Sequence, residues 1–211
     1  MKLFLIRHGE NQANLDRVFS YKTVDFSLTS KGVKQAKYLA EWIAYKQVVK
    51  VYSSPLKRAR ETSQIVTEFL RIPQAVVLEE LRELNVGMLE GKSDAASWKL
   101  HDSIIQSWIE GKAEVSFDSG ENHINLIKRL KCALDCILTD NLHLEDEQSI
   151  AVVAHGGLFT YGLPWLCNGF SDKEIQIPLL NTAVIVIEVT NGLFHCLGWG
   201  LCEHLSQIEL L

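Results

Sequence analysis

The stretch Leu3-Phe4-Leu5-Ile6-Arg7-His8-Gly9 decides how the rest of the chain is read. Four apolar residues in a row, with no polar alternation, suit a strand buried on both faces of a parallel sheet. The run stops at a cation, a histidine and a glycine. That places a loop at the strand's carboxyl end, with Gly9 permitting a turn that other residues resist. Two further strand-like runs end in a similar way: Val48 to Tyr52 in Ser53-Ser54-Pro55, and Ile150 to Ala154 in His155-Gly156-Gly157. Val184–Val189 and Leu193–Leu197 flank Thr190-Asn191-Gly192, a hairpin signal.

Helical patterns lie between these runs. From Val33 the apolar residues Ala36, Leu39, Ala40, Ile43 and Ala44 form one stripe, with Thr29 or Ser30 as cap. Ser54-Pro55 reads as a helix start, with serine at N-cap and proline in the first turn. Ile124, Ile127, Leu134 and Ile137 mark another helix. Alternating strands and helices predict an α/β fold, a three-layer α/β/α sandwich with a mainly parallel central sheet. Residues 1–211 are expected to form a single domain, with a small helical cap insertion at about 92–120 carrying Trp98, Ile104, Ile105, Trp108 and Ile109. In such sheets ligands bind beyond the carboxyl ends of the strands, so His8 and His155 are expected at one edge.

Composition narrows the function. The 211 residues are 47% hydrophobic and 22% charged, ordinary globular usage that excludes collagen, coiled coil and disorder. A chain of this length buries about 70% of its unfolded surface and needs no metal or disulfide to fold. The net charge of −5 disfavours a nucleic-acid partner. Apolar runs such as Ala183–Ile187 fall far short of the roughly 20 residues that span a bilayer, so no membrane partner is expected. The apolar N-terminal run is too short for a signal peptide. Five cysteines without regular spacing read as reduced thiols, which points to a cytoplasmic protein. Cys132 and Cys136 share a helix face and read as small buried side chains rather than metal ligands.

Arg58 carries the first chemical signal. On the helix after Pro55 it shares a face with Thr62, Ile65 and Phe69, whereas Lys57 and Arg60 point elsewhere. A guanidinium on the buried side of a first helical turn is costly unpaired and sits at the positive end of the helix dipole. A bound anion resolves both problems; a buried ion pair with a carboxylate is the alternative. Two histidines and two arginines at one sheet edge make a poor core and a good phosphate site.

These motifs together resemble the histidine phosphatase superfamily, the phosphoglycerate mutase-like family, over nearly the whole chain. Arg7-His8-Gly9-Glu10 with Asn14 is similar to its signature. Leu28 to Gly32 with Gln35-Ala36 resembles its first helix start, and Ser53 to Ala59 with Thr62 its second arginine motif. Leu81-Arg82-Glu83 with Gly87 and Glu90-Gly91 resembles the segment bearing the acidic catalyst. Ser119-Gly120-Glu121 and Val153 to Gly157 complete the order. Asn11, Ser63 and Leu89 depart from residues common in the family, and none removes a catalytic group.

The resemblance implies that His8 is the nucleophile and forms a phosphohistidine. It implies that Arg7, Arg58, His155, Asn14 and Gly156 hold the phosphoryl group and that Glu83 is the general acid/base, with no cofactor and no metal. Read without the motif, Glu83 is a surface carboxylate in the run Glu79, Glu80, Glu83. As a proton donor it should be partly buried. Phe19, Ser20, Tyr21, Lys22 and Glu10, together with the cap, are expected at the substrate entrance.

The family divides into mutases and phosphatases. Residues 92–120 hold only Lys92, Lys99 and Lys112 as cations, which favours hydrolysis of a small phosphorylated substrate over mutase-type transfer. A non-enzymatic phosphoryl-binding member is a third reading, which the presence of His8 and Glu83 disfavours. Oligomeric state is left open: Val184–Val189, read as an outer strand, could pair or pack with a second copy to give a homodimer.

Overall fold

The computed structural model describes residues 1–145, 147–171 and 176–206. Its strands are β1 (Lys2–Arg7), β2 (Val48–Ser53), β3 (Val76–Val77), β4 (Ser149–Ala154), β5 (Cys167–Asn168), β6 (Val184–Thr190) and β7 (Leu193–Leu201). Its helices are α1 (Gln12–Leu15), α2 (Ser30–Ile43), α3 (Lys57–Leu70), α4 (Ala95–Ile109), α5 (His123–Asp140) and α6 (Gly156–Gly162). The strands form one sheet in the order β3-β2-β4-β1-β6-β7-β5. The pairings of β1 with β4, β2 with β4, β2 with β3 and β5 with β7 are parallel; β6 runs antiparallel to β1 and β7.

Side-chain alternation along β1 splits the core into two layers. Phe4 and Ile6 join Leu39, Ile43, Ala59 and Val66, which places α2 and α3 on one face. Leu3 and Leu5 join Leu126, Leu130, Leu158 and Phe159, which places α5 and α6 on the other. This is the three-layer α/β/α arrangement with a mostly parallel sheet. The α2 stripe is buried as its spacing predicts, and Thr29 caps it by accepting from the Gly32 N–H at 3.0 Å. Burying Leu39 and Ile43 fully contributes about 1.5–3 kcal/mol each.

Several expectations are corrected. Val184–Val189 is not an outer strand: β6 lies between β1 and β7, so it offers no free edge to a second copy. The hairpin itself is present, with Asn191 and Gly192 both at positive φ as a type I′ turn requires. Helix α3 starts at Lys57 rather than after Ser54; its cap residue Leu56 has no side-chain acceptor, and Asp25 takes the Lys57 N–H instead, at 3.0 and 3.1 Å. Arg58 and Thr62 are buried on α3 as expected, but the stripe continues through Ala59, Ser63, Val66 and Thr67 rather than to Phe69, which is exposed. On α5 the buried positions are His123, Leu126, Leu130, Ala133, Leu134 and Ile137. Ile124, Cys132 and Cys136 fall outside that stripe and are exposed.

An excursion from the body begins at Gly87 and returns at Asp118–Gly120. Gly87 has φ +53°, and a Cβ there would lie 1.9 Å from the Asp118 carbonyl oxygen. The Met88 N–H donates to that same oxygen at 2.9 Å, and the Glu121 N–H donates to the Asn85 carbonyl at 2.9 Å. The two ends therefore close into a narrow neck a few residues before Lys92. Between them lies α4, which buries Ile104, Ile105 and Trp108 against the body and leaves Ile109 exposed. Among the described residues, no helix is long and apolar enough to cross a membrane.

Candidate active site

Register builds the site. Arg7 pairs with Ala154, and Ile6 and Ser53 both align on Val153, so β1, β2 and β4 end level with one another. The next residues, His8, Ser54 and His155, therefore emerge side by side. The His8 N–H donates to the Ala154 carbonyl at 3.0 Å, the Ser54 N–H to Val153 at 2.9 Å, and the two imidazole centroids lie 5.2 Å apart. Gly9 is needed for close approach rather than for a positive φ: a Cβ on it would come 2.7 Å from the Gly32 carbonyl oxygen. Its N–H donates to Thr62 Oγ1 at 3.0 Å, and that hydroxyl donates to the Arg58 carbonyl at 2.7 Å.

His8 is 2% exposed. Its Nδ1 lies 2.7 Å from the Gly9 carbonyl, an acceptor only, so Nδ1 carries the proton and Nε2 holds a lone pair. Arg58 Nε donates to that lone pair at 3.0 Å. Burial first, then the charges of Arg58 and Arg7, push the imidazole pKa well below 6.5, outweighing the hydrogen bond to Gly9. The result is a neutral imidazole with a defined tautomer, the state in which Nε2 can act as a nucleophile.

Arg58 is 3% exposed and is fixed on three sides. Nη1 donates to Ser20 Oγ at 2.9 Å, Nη2 donates to the Ser20 carbonyl at 2.9 Å, and Asp25 stands 3.6 Å from Nη1. Both readings of this residue are thus partly met: it has a carboxylate neighbour and also faces the cleft. Arg7 Nη1 donates to the Leu179 carbonyl, and its guanidinium lies across Gly156, where a Cβ would sit 3.3 Å from Nε. His155 Nε2 is 2.7 Å from Ser54 Oγ. Ser54 Oγ also accepts from the Leu56 N–H at 3.3 Å. His155 Nδ1 and Arg7 Nε are both buried without a hydrogen-bond partner. An unpartnered guanidinium N–H beside an unpartnered imidazole nitrogen suits an anion.

Glu83 is half-buried, as expected of a proton donor. Its Oε1 accepts from the Leu84 and Leu158 N–H groups at 2.8 Å each, and Oε2 from Gly157 N–H at 3.2 Å. Asn14 lines the same cleft. Its Oδ1 accepts from Asn11 N–H at 3.2 Å and Asn181 Nδ2 at 2.9 Å, which leaves its NH₂ as a donor. Arg7, His8, Asn14, Ser20, Arg58 and Glu83 thus share one cleft of about 280 Å³, which Phe19, Val86, Trp98 and His101 wall on the side of the excursion.

Three entrance residues are not brought there. Glu10 turns outward, accepting from Thr29 Oγ1 at 2.8 Å and pairing with Lys31 at 3.5 Å, on a neighbouring groove. Tyr21 and Lys22 contribute backbone instead: the N–H groups of residues 21–24 all converge on Glu90 Oε1. Burial alone would raise the Glu90 carboxyl; those hydrogen bonds hold it below its ordinary value. Ser20 is present, as the anchor of Arg58.

Sequence reasoning missed Asn181, whose Nδ2 also donates to the His8 carbonyl at 3.1 Å, and Asp25. The signal for Asn181 was its place just before β6, which runs antiparallel to β1 and so begins where β1 ends. Among the described residues, no group of three or more His, Cys, Asp or Glu side chains could hold a metal ion.

The buried histidines set a pH dependence of stability. His8 and His155 lie well below 6.5 when folded, and burial lowers His204 to about 4. Below about pH 6.5 the unfolded chain therefore binds more protons than the folded one, and stability falls as pH falls. The urea midpoint should drop between pH 7.5 and pH 5. A midpoint that rises over that range would contradict neutral burial of these rings.

A family model described as "Histidine phosphatase superfamily (branch 1)" matches residues 3–201, and the chain belongs to that superfamily. It is 28% identical to phosphoglycerate mutase-like protein 4 of Arabidopsis thaliana, over 100% of this chain and 89% of that one. It is 25% identical to the metal-independent phosphoserine phosphatase of the same plant, over 100% of this chain and 85% of the relative. The solved structure of a phosphoserine phosphatase from Entamoeba histolytica in complex with 3-phosphoglyceric acid superposes with a TM-score of 0.77 at 27% identity, covering 97% of this chain and 98% of that one.

Proposed function

We propose that this member of the histidine phosphatase superfamily hydrolyses small phosphomonoesters through a phosphohistidine on His8, without a metal. The observation that carries the reading is the state of His8: neutral, its Nδ1 proton fixed on Gly9, its Nε2 lone pair turned toward Arg58 in the cleft. In the first step His8 Nε2 attacks phosphorus and the ester P–O bond breaks. Its electron pair leaves on the alcohol oxygen, which takes a proton from Glu83. Glu83 Oε2, with the longer of the backbone contacts, is the oxygen suited to carry that proton. In the second step Glu83, now a carboxylate, removes a proton from water. The water oxygen bonds to phosphorus and the P–N bond returns its pair to Nε2. Arg7, Arg58, Asn14 and His155 bind the equatorial oxygens, on which charge is concentrated during transfer.

Hydrolysis is favoured over mutase-type transfer by the wall of the cleft. Phe19, Leu84, Val86 and Trp98 line the cleft, and none of Lys92, Lys99 and Lys112 does. Arg17 stands at the rim with its guanidinium 5.0 Å from the Trp98 ring centre. A small organic alcohol fits this wall better than a second phosphate. Turnover of an aryl phosphate by the purified protein should be unchanged by excess chelator. Complete loss with chelator, restored by a divalent ion, would refute the cation-cage mechanism.

A further inference from the structure

One guanidinium outside the cleft holds the segment on which Glu83 stands. Arg129, on α5, donates from Nη1 to the Glu80 carbonyl at 2.7 Å and to the Arg82 carbonyl at 2.7 Å. Its Nη2 donates to the Glu83 carbonyl at 3.3 Å and to Glu121 Oε1 at 2.7 Å, and its Nε donates to Glu121 Oε2 at 3.2 Å. Glu121 extends the grip: Oε1 also accepts the Asn85 N–H at 2.8 Å, and the Glu121 N–H donates to the Asn85 carbonyl at 2.9 Å. Residues 80, 82, 83 and 85 are therefore all tied to one ion pair. Its two side chains are 20% and 10% exposed, shielded enough for charge-assisted bonds to count.

Helix α5 does not need this pair to stay in place. Leu126, Leu130 and Leu134 pack it into the core, and Leu130 lies close against Gly162 of α6. The 80–85 segment has less of its own. Leu81 and Leu84 are buried, but Arg82 turns outward to Glu79, and Glu83 reaches away to the backbone of Gly157 and Leu158. The Glu83 main chain is thus gripped from behind by Arg129, while its carboxylate is held in front by α6. A Cβ on Gly157 would come 2.7 Å from Oε1, so the carboxylate lies directly on the backbone beside His155.

We propose that Arg129, paired with Glu121, is a positioning residue for Glu83: it fixes the carbonyls around that residue so that the carboxyl group meets the departing oxygen. The inference rests on Glu83 being the general acid. A misplacement on the order of 1 Å can cost about 10²-fold in a reaction that depends on orientation. Lysine keeps the charge of Arg129 but cannot supply its planar fork of donors.

The experiment compares single-turnover phosphorylation of the full chain by an alkyl phosphate and by 4-nitrophenyl phosphate in Arg129→Lys, Glu83→Gln and the double variant. Arg129→Lys should slow the alkyl reaction about 10–100-fold and the nitrophenyl reaction less than about threefold. The double variant should be no slower on the alkyl substrate than Glu83→Gln alone, because both changes remove one function. Glu121→Gln should show the same selectivity more weakly, and it is the variant to read if Arg129→Lys does not fold. Equal losses on both substrates, or additive losses in the double variant, would overturn the positioning role. Absence of any leaving-group dependence in Glu83→Gln itself would instead overturn the general-acid reading on which it rests.

Discussion

His8→Ala is expected to lower phosphomonoester turnover by at least ~10⁴-fold while the protein stays folded. A methyl group cannot form the covalent intermediate, and removing a nucleophile generally erases most of what its catalytic partners contribute. The fold should tolerate the change. The ring is neutral, and Arg58, which loses a partner in Nε2, keeps Ser20 and Asp25. Rapid quenching of the wild-type reaction under conditions that spare the acid-labile P–N bond should show phosphate on His8 and on no other residue. Phosphate on His155 would reverse the roles of the two rings. Ser54 argues against that exchange, since its hydroxyl occupies His155 Nε2 at 2.7 Å.

Glu83→Gln and Arg58→Ala should separate by leaving group. An alkoxide is strongly basic and needs a proton as it departs, so Glu83→Gln should slow phosphorylation by an alkyl phosphate by about 10²–10⁴-fold. Nitrophenolate departs without that help, so its phosphorylation step should change little. A burst of nitrophenol should then appear as hydrolysis of the phosphohistidine becomes limiting. Arg58→Ala removes charge stabilisation from the transferred group, which is the same in both substrates, and should cost about 10²–10³-fold with each. Single-turnover rates of both variants on both substrates decide the matter. If Arg58→Ala discriminated between the esters, its guanidinium would have to act on the alcohol side instead.

The parts of this site that could be read from the sequence are those delivered by regular structure. Arg7-His8, Ser53-Ser54 and Ala154-His155 follow continuous strands, and parallel register brings strand ends together whatever the loops do. Arg58 was legible because a cation in the first turn of a packed helix has few reasons to be there. The failures lie where side chains answer to irregular backbone. Glu10 follows the glycine turn, so its direction depends on the close approach of Gly9 to Gly32 rather than on any period. Tyr21 and Lys22 sit in a loop folded around the Glu90 carboxylate, 66 to 69 residues distant, and no local pattern reveals that their backbones rather than their side chains are used. Asp25 caps α3 from across the molecule, which spacing within residues 54–57 could not disclose. Cys132 and Cys136 share a face as expected, but the stripe through Leu130 and Ala133 left that face to solvent.

The neck at Gly87 also bears on how such a protein can change over generations. Because the excursion departs and returns through contacts among Asn85, Met88, Asp118 and Glu121, the length of its exposed turns is nearly independent of the sheet. The entropy cost of closing a loop grows only slowly as residues are added. Insertions and deletions in those exposed turns can therefore accumulate with little penalty to folding, provided Gly87, Glu90 and the buried Ile104, Ile105 and Trp108 are kept. That same stretch supplies Trp98 and His101 to the wall of the cleft. Substrate preference can thus drift through one tolerant segment while Arg7, His8, Arg58 and His155, anchored on strand ends and helix starts, stay under constraint. A fold divided in this way can give rise to both phosphoserine phosphatases and phosphoglycerate mutase-like proteins from a common scaffold.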